Sequence, residues 1–142
     1  PDDIEARAHM MSAAAMGATA FQKGLGAIHA MSHPVGAYFN THHGTTNAVC
    51  MPAVLDFNAG AIRQRFDHAA AYVGIDGGYG GFRAFVERFN DSLGVPRGLS
   101  ALGVGAAAIP DLVAGALKDP SCGGNPVALT EEALTGLFHA AL

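Results

Sequence analysis

The chain has 142 residues, half of them apolar and 14% charged, which suits one domain with a buried core. This composition excludes general disorder, because a disordered chain lacks the apolar surface to offset its ordering entropy. The formal net charge is −4 and no Lys/Arg cluster stands out, so there is no electrostatic case for nucleic acid. No run of about 18 uninterrupted apolar residues offers a membrane span.

Almost no strand is expected. Asp2 and Asp3 are suitable N-caps for a helix over the Ala- and Met-rich run Ile4 to Ala20, ending near Lys23-Gly24. Gly26 to Phe39 reads as a second helix limited or kinked at Pro34, and Thr41 to Asn58 as a third with a kink at Pro52. Ala61 to Val73 places Ile62, Phe66, Ala69 and Val73 on one helical stripe. Gly74 to Gly81 is a breaker-rich loop. It lacks the preceding buried strand of a dinucleotide-binding loop and reads as a plain helix break. Phe82, Phe85, Val86 and Phe89 form one apolar helical face, closed by Leu93-Gly94. Gly94 to Gly105 looks irregular. Pro110 suits the first turn of a helix running to about Lys118. Asp119 to Ala128 is a loop, and Thr130 caps a last helix whose Glu131 and Glu132 favour its positive end. The expected fold is an all-α helical bundle.

Small residues, abundant here as Ala and Gly, let helices pack closely. Cys50 and Cys122 lack CxxC spacing. They could pair, but two isolated thiols in a Cys-poor chain read as reduced and the protein as cytoplasmic. The chain opens on Pro1-Asp2-Asp3, without an initiator Met or a signal-like apolar run. It therefore reads as a piece of something longer, or as a chain that has lost a short tag or Met.

Three of the seven histidines form a constellation. His29 and His33 are four apart and share one helical face. His43 follows after Asn40-Thr41-His42, where a turn and a new helix can return it beside the pair. Imidazole suits Fe, Zn, Cu and Ni, and three of them could hold a divalent ion with a further ligand from elsewhere. The intervening Ala30-Met31-Ser32 supplies no general base, which excludes a metalloprotease motif. An i,i+4 histidine pair also arises by chance. His9, His42, His68 and His139 read as surface or core residues.

The residues from Gly24-Leu25-Gly26-Ala27-Ile28-His29 through Ala30-Met31-Ser32-His33-Pro34-Val35-Gly36 carry more than spacing. With Asn40-Thr41-His42-His43-Gly44, Asn47-Ala48, Met51-Pro52 and Phe57-Asn58 they closely resemble the signature of the iron-containing alcohol dehydrogenase family. The likeness returns in Cys122-Gly123-Gly124-Asn125-Pro126 and extends over nearly the whole chain.

The resemblance implies a two-domain enzyme. An N-terminal α/β domain binds NAD(P), and a C-terminal helical domain binds the metal, Fe2+ or Zn2+, and a small alcohol or aldehyde. It implies an Asp and three His as ligands, two of which fall on His29 and His43. His33 then lies beside nicotinamide and substrate, as a contact or a proton relay. The other two ligands belong to an Asp-x-x-x-His motif, and no such pair precedes His29 here. Residues 1–142 are therefore expected to be the C-terminal helical domain, without the dinucleotide-binding domain, inactive alone and weak in metal binding. Cys122 is expected to approach the cofactor cleft, as a packed thiol rather than a nucleophile. Gly26, Gly36 and Gly44 are expected to permit close contacts or turns, and Asn40 and Asn47 to hydrogen-bond the turn around His43. Tyr38 and Phe39 are core residues by default, with pocket lining as the alternative. An exposed interdomain face would favour a homo-oligomer. The competing expectation is a stand-alone helical domain acting in assembly or binding.

Overall fold

Helices account for nearly all of the regular structure. In the computed structural model, which describes residues 2–142, α1 spans Ile4–Ala20, α2 Ala27–Phe39, α3 His43–Tyr72, α4 Gly78–Ser92, α5 Ile109–Leu117 and α6 Glu131–Ala141. Short 3-10 turns lie at Phe21–Lys23, Leu99–Leu102, Ala106–Ala108 and Pro120–Gly124. No strand occurs among the described residues, in agreement with the all-α expectation. None of their helices is long and apolar enough to cross a membrane.

The core is built on α2, which packs between α3 and α5, while α6 closes over α5 and α3. Ala27, Ala30, Met31, Pro34 and Val35 of α2 are buried, at the three- and four-residue spacing of one helical stripe. Leu112 and Ala116 of α5, Leu134 and Phe138 of α6, and Cys50 of α3 meet them. By contrast, no residue of α1 is buried.

The expected caps are present. Asp3 accepts from the Ala6 backbone N–H at 2.9 Å, and Thr130 accepts from Ala133 at 3.1 Å. The helices expected over Thr41 to Asn58 and Ala61 to Val73 are one element, α3, bent at Ile62 (φ −130°, ψ 25°) and not at Pro52. Gly60 lies two residues before the bend and weakens the helix there. Pro52 cannot donate to the Ala48 carbonyl four residues back. The Asn90 side chain of α4 donates to that carbonyl instead, at 3.0 Å, so the helix continues. Beyond the bend, Ala70 and not Ala69 is buried.

The loop before α4 is shorter than expected. Asp67 accepts from the Tyr79 N–H at 2.7 Å, which satisfies a donor of the first turn and lets α4 begin at Gly78. A helix, not a strand, precedes this loop. Within α4, Val86 is buried but Phe85 and Phe89 are exposed and stack on each other. The apolar face is thus narrower than its sequence suggests.

One amide ties three segments together. Asn125 Oδ1 accepts from the Ala27 N–H at 3.2 Å and from Asn58 Nδ2 at 2.9 Å. Its Nδ2 donates to Asn58 Oδ1 at 2.9 Å and to the Val127 carbonyl at 2.7 Å. Gly124, just before it, lies so close to the Leu25 carbonyl that a Cβ there would collide with it. The Pro120–Gly124 turn is therefore seated on the start of α2.

Replacing Asn125 by Ala leaves the buried Asn58 amide and the Ala27 N–H without their partner. The expected cost is about 2–4 kcal/mol, read from denaturant midpoints at unchanged slope. A cost below about 0.5 kcal/mol would show that these bonds do not hold the fold.

Burial pushes the Cys50 thiol up to about 12. Above its ordinary value of 9.0, the unfolded chain releases this proton while the folded chain keeps it. The unfolded state then binds fewer protons, so stability falls as pH rises, by up to ~1.4 kcal/mol per pH unit from this group. Denaturant titrations above pH 9 should show a steeper decline for the native chain than for Cys50→Ala. Parallel declines would contradict the buried thiol.

Candidate metal centre

The α2–α3 turn decides where the histidines meet. Asn40 ends α2 in the left-handed region (φ 52°), the one non-glycine residue with positive φ among those described. Its backbone N–H bonds the Gly36 carbonyl, so it shapes the turn through its backbone. His42 caps α3, its Nδ1 accepting from the Thr45 N–H at 3.3 Å. Buried Thr46 donates to the His42 carbonyl at 3.0 Å, and its Oγ1 lies 2.7 Å from the Thr41 hydroxyl. These bonds start α3 at His43 and fold it back along α2.

His29, His33 and His43 then form a triangle. Ring centroids are 5.6 Å apart for His29 and His33, 5.3 Å for His29 and His43, and 5.4 Å for His33 and His43. The rings of His33 and His43 lie within 17° of parallel. The turn thus brings together the three histidines that spacing singled out.

Their hydrogen bonds separate them into a pair and a single. Asn47 Nδ2 lies 3.3 Å from His29 Nε2 and 3.1 Å from His43 Nε2. As the donor to both, it faces two imidazole lone pairs aimed at one region. The Asn47 amide oxygen is buried without a partner. His33 is committed elsewhere: its Nδ1 lies 2.7 Å from Asp119 Oδ2. Among the described residues, no three His, Cys, Asp or Glu side chains converge so as to hold a metal ion.

The electrostatics favour a neutral His29 beside a charged Asp119. Burial lowers the pKa of His29, His43 and His33 lower it further, and Asp119 opposes them in part. For Asp119, burial raises the pKa, but bonds from Ser121 and His33 outweigh it and leave the carboxyl below its usual range. The Ser121 backbone N–H donates to Asp119 Oδ1 at 2.8 Å. Cys122, in the same turn, donates through Sγ to the Ala116 carbonyl at 3.0 Å. Burial first, then Asp119, raises its pKa, so it is held as a thiol. Both cysteines are free.

The other matched residues differ in their surroundings. A Cβ on Gly26 would meet Asn125 Oδ1 at 3.0 Å, whereas Gly36 has room around it. Phe39 packs against the core and Tyr38 is exposed. His9, His42, His68 and His139 are exposed. Asp119 and Asn125 carry the site's support without having been singled out for those roles. Asp119 before Pro120 is a turn signal, but nothing local shows that it reaches His33, 86 residues earlier. A cavity of about 380 Å³ lies elsewhere, at Ala48, Pro52, Arg83 and Asn90, and no histidine lines it.

Comparison with known proteins gives this geometry its context. The description "Fe-containing alcohol dehydrogenase family, C-terminal" matches residues 1–142. The chain is 42% identical to a 4-hydroxybutyrate dehydrogenase of Cupriavidus necator, over 87% of this chain and 35% of that protein. It is 34% identical to lactaldehyde reductase of Escherichia coli K12, over 83% of this chain and 33% of that one. It is 36% identical to an NAD-dependent methanol dehydrogenase of Bacillus methanolicus, over 99% of this chain and 39% of that one. Among solved structures, a 1,3-propanediol oxidoreductase superposes with a TM-score of 0.78 at 31% identity, covering 83% of this chain and 33% of its own. The chain thus spans between 33% and 39% of the length of these curated relatives. With its helical fold, its histidine triangle and a match over its full length, the chain belongs to the Fe-containing alcohol dehydrogenase family, in that family's C-terminal part.

Proposed function

We propose that this chain is the metal- and substrate-binding helical domain of a metal-dependent, NAD(P)-linked alcohol dehydrogenase. The whole enzyme interconverts a small alcohol and its aldehyde or ketone by hydride transfer. The observation that carries this reading is the pair of imidazole nitrogens, His29 Nε2 and His43 Nε2, aimed at one amide. In this reading they are two ligands of a divalent ion, Fe2+ or Zn2+. The other ligands and the nicotinamide-binding domain come from protein beyond this chain. The chain's share of its relatives' length supports that division. So does α1, none of whose residues is buried and whose Met10, Met11 and Met16, with Phe21 after them, are exposed.

The donor set fits such an ion, since two ring lone pairs converge on the Asn47 amide nitrogen, and the oxygen of that amide is buried without a partner. When bound, the ion supplies Lewis acidity that favours loss of the alcohol's hydroxyl proton. Burial lowers the pKa of His29, which favours the neutral ring that would hold such an ion. His33 contacts the substrate and the nicotinamide, holding the alcohol carbon in line for hydride loss. Cys122 borders the same cleft as a neutral thiol. The free thiols suit a reducing cytoplasm.

Cobalt(II) absorption titrations of the chain test the ligand pair. Weak uptake is expected, because two imidazoles leave other positions to water. His29→Ala and His43→Ala should each abolish it, while His33→Ala should leave it in place. Equal loss in all three would sink the pairing, as would undiminished uptake in the first two. No NAD-linked alcohol oxidation is expected from the isolated chain, and robust turnover would overturn the division of labour.

A further inference from the structure

The histidine that does not face Asn47 is the one held by a carboxylate. Asp119 reaches His33 from the 3-10 turn that follows α5, across the gap to α2. The carboxylate is itself fixed: Oδ1 accepts from the Ser121 N–H at 2.8 Å, and Oδ2 lies 2.7 Å from His33 Nδ1. Its side chain is 13% exposed, against 40% for that of His33. The turn that carries it is seated by the Asn125 amide bonds and by the close pass of Gly124 against Leu25. An ionised carboxylate can only accept, so the proton in this contact belongs to His33 Nδ1. In the neutral ring, Nε2 on the opposite edge is then a bare acceptor.

We propose that Asp119 is a positioning residue, which holds the neutral His33 ring as its Nδ1–H tautomer and presents Nε2 as an acceptor for the substrate hydroxyl. The proposal rests on the dehydrogenase reading for what His33 faces, but not for the tautomer itself. Geometry gives the carboxylate no direct role at the His29–His43 pair: its side-chain contacts are to Ser121 and His33. Its one hydrogen bond to the histidine triangle is to His33, as a carboxylate commonly sets the orientation and tautomer of a working histidine.

Long-range 1H–15N correlation spectra of the imidazoles in this chain test the assignment, at a pH where His33 is neutral. The expected native pattern for His33 is protonated Nδ1 and bare Nε2. In Asp119→Asn the amide can donate to Nδ1, and the ring should switch to protonated Nε2. Asp119→Glu should retain the native pattern in part. A native His33 protonated at Nε2 would overturn the proposal without any variant, as would an unchanged pattern in a folded Asp119→Asn. In a two-domain protein containing this chain, Asp119→Asn should lower kcat by about 10- to 100-fold, with KM for the nicotinamide and metal content unchanged. A parallel fall in metal content would overturn the positioning role in favour of a structural one. Absence of turnover in the native two-domain protein, with the tautomer switch intact, would sink the dehydrogenase reading and leave the positioning of His33 standing.

Discussion

The amide of Asn125 is the constraint on which the site depends. It joins the first turn of α2, the middle of α3 and the loop that carries Asp119 and Cys122. Each donor and acceptor it uses would otherwise be a polar group with no partner in a partly dry setting, which raises the cost of any other arrangement. Two residues beyond Ala27 comes His29, so the clamp also sets where the histidine face begins. A Cβ at Gly26 would sit 3.0 Å from the amide oxygen and crowd it. The resulting scaffold supports the histidines from helices and not from loops, which is the arrangement that holds a constellation most firmly.

Two prolines lie inside helices, and the fold accommodates both. Pro52 frees a carbonyl that Asn90 of α4 satisfies, so a local defect becomes a bond between helices. Pro34 is buried in α2, packed close to Gly115 of α5. The direct break in α3 falls instead near Gly60, where the backbone itself is loose. The helical pair α2 and α3 is thereby rigid where the histidines sit and bent only well beyond them.

The chemistry of the site divides along hydrogen-bond lines. His29 and His43 share a neutral amide, which imposes no charge on them, whereas His33 is bonded to a carboxylate. Similar ring separations therefore conceal different environments. The same distinction separates the thiols: Cys50 is sealed in the core, and Cys122 is turned onto a carbonyl of α5. Neither is placed to act as a thiolate.

Much of this was legible in the sequence. The helix over α2, the caps at Asp3 and Thr130 and the His29–His33 face follow from local rules, because helix register and capping depend on neighbours within one turn. The family likeness, carried by the glycine- and histidine-rich stretch and the Cys-Gly-Gly-Asn-Pro loop, is also a property of the sequence alone. Tertiary structure alone decided the rest. That Asn47 spans two imidazoles, that Asp119 holds the third, that Asn90 repairs Pro52 and that Asn125 clamps three segments all depend on side chains meeting across helices. Such contacts are set by packing directions and turn geometry, and no periodicity within a single segment encodes them.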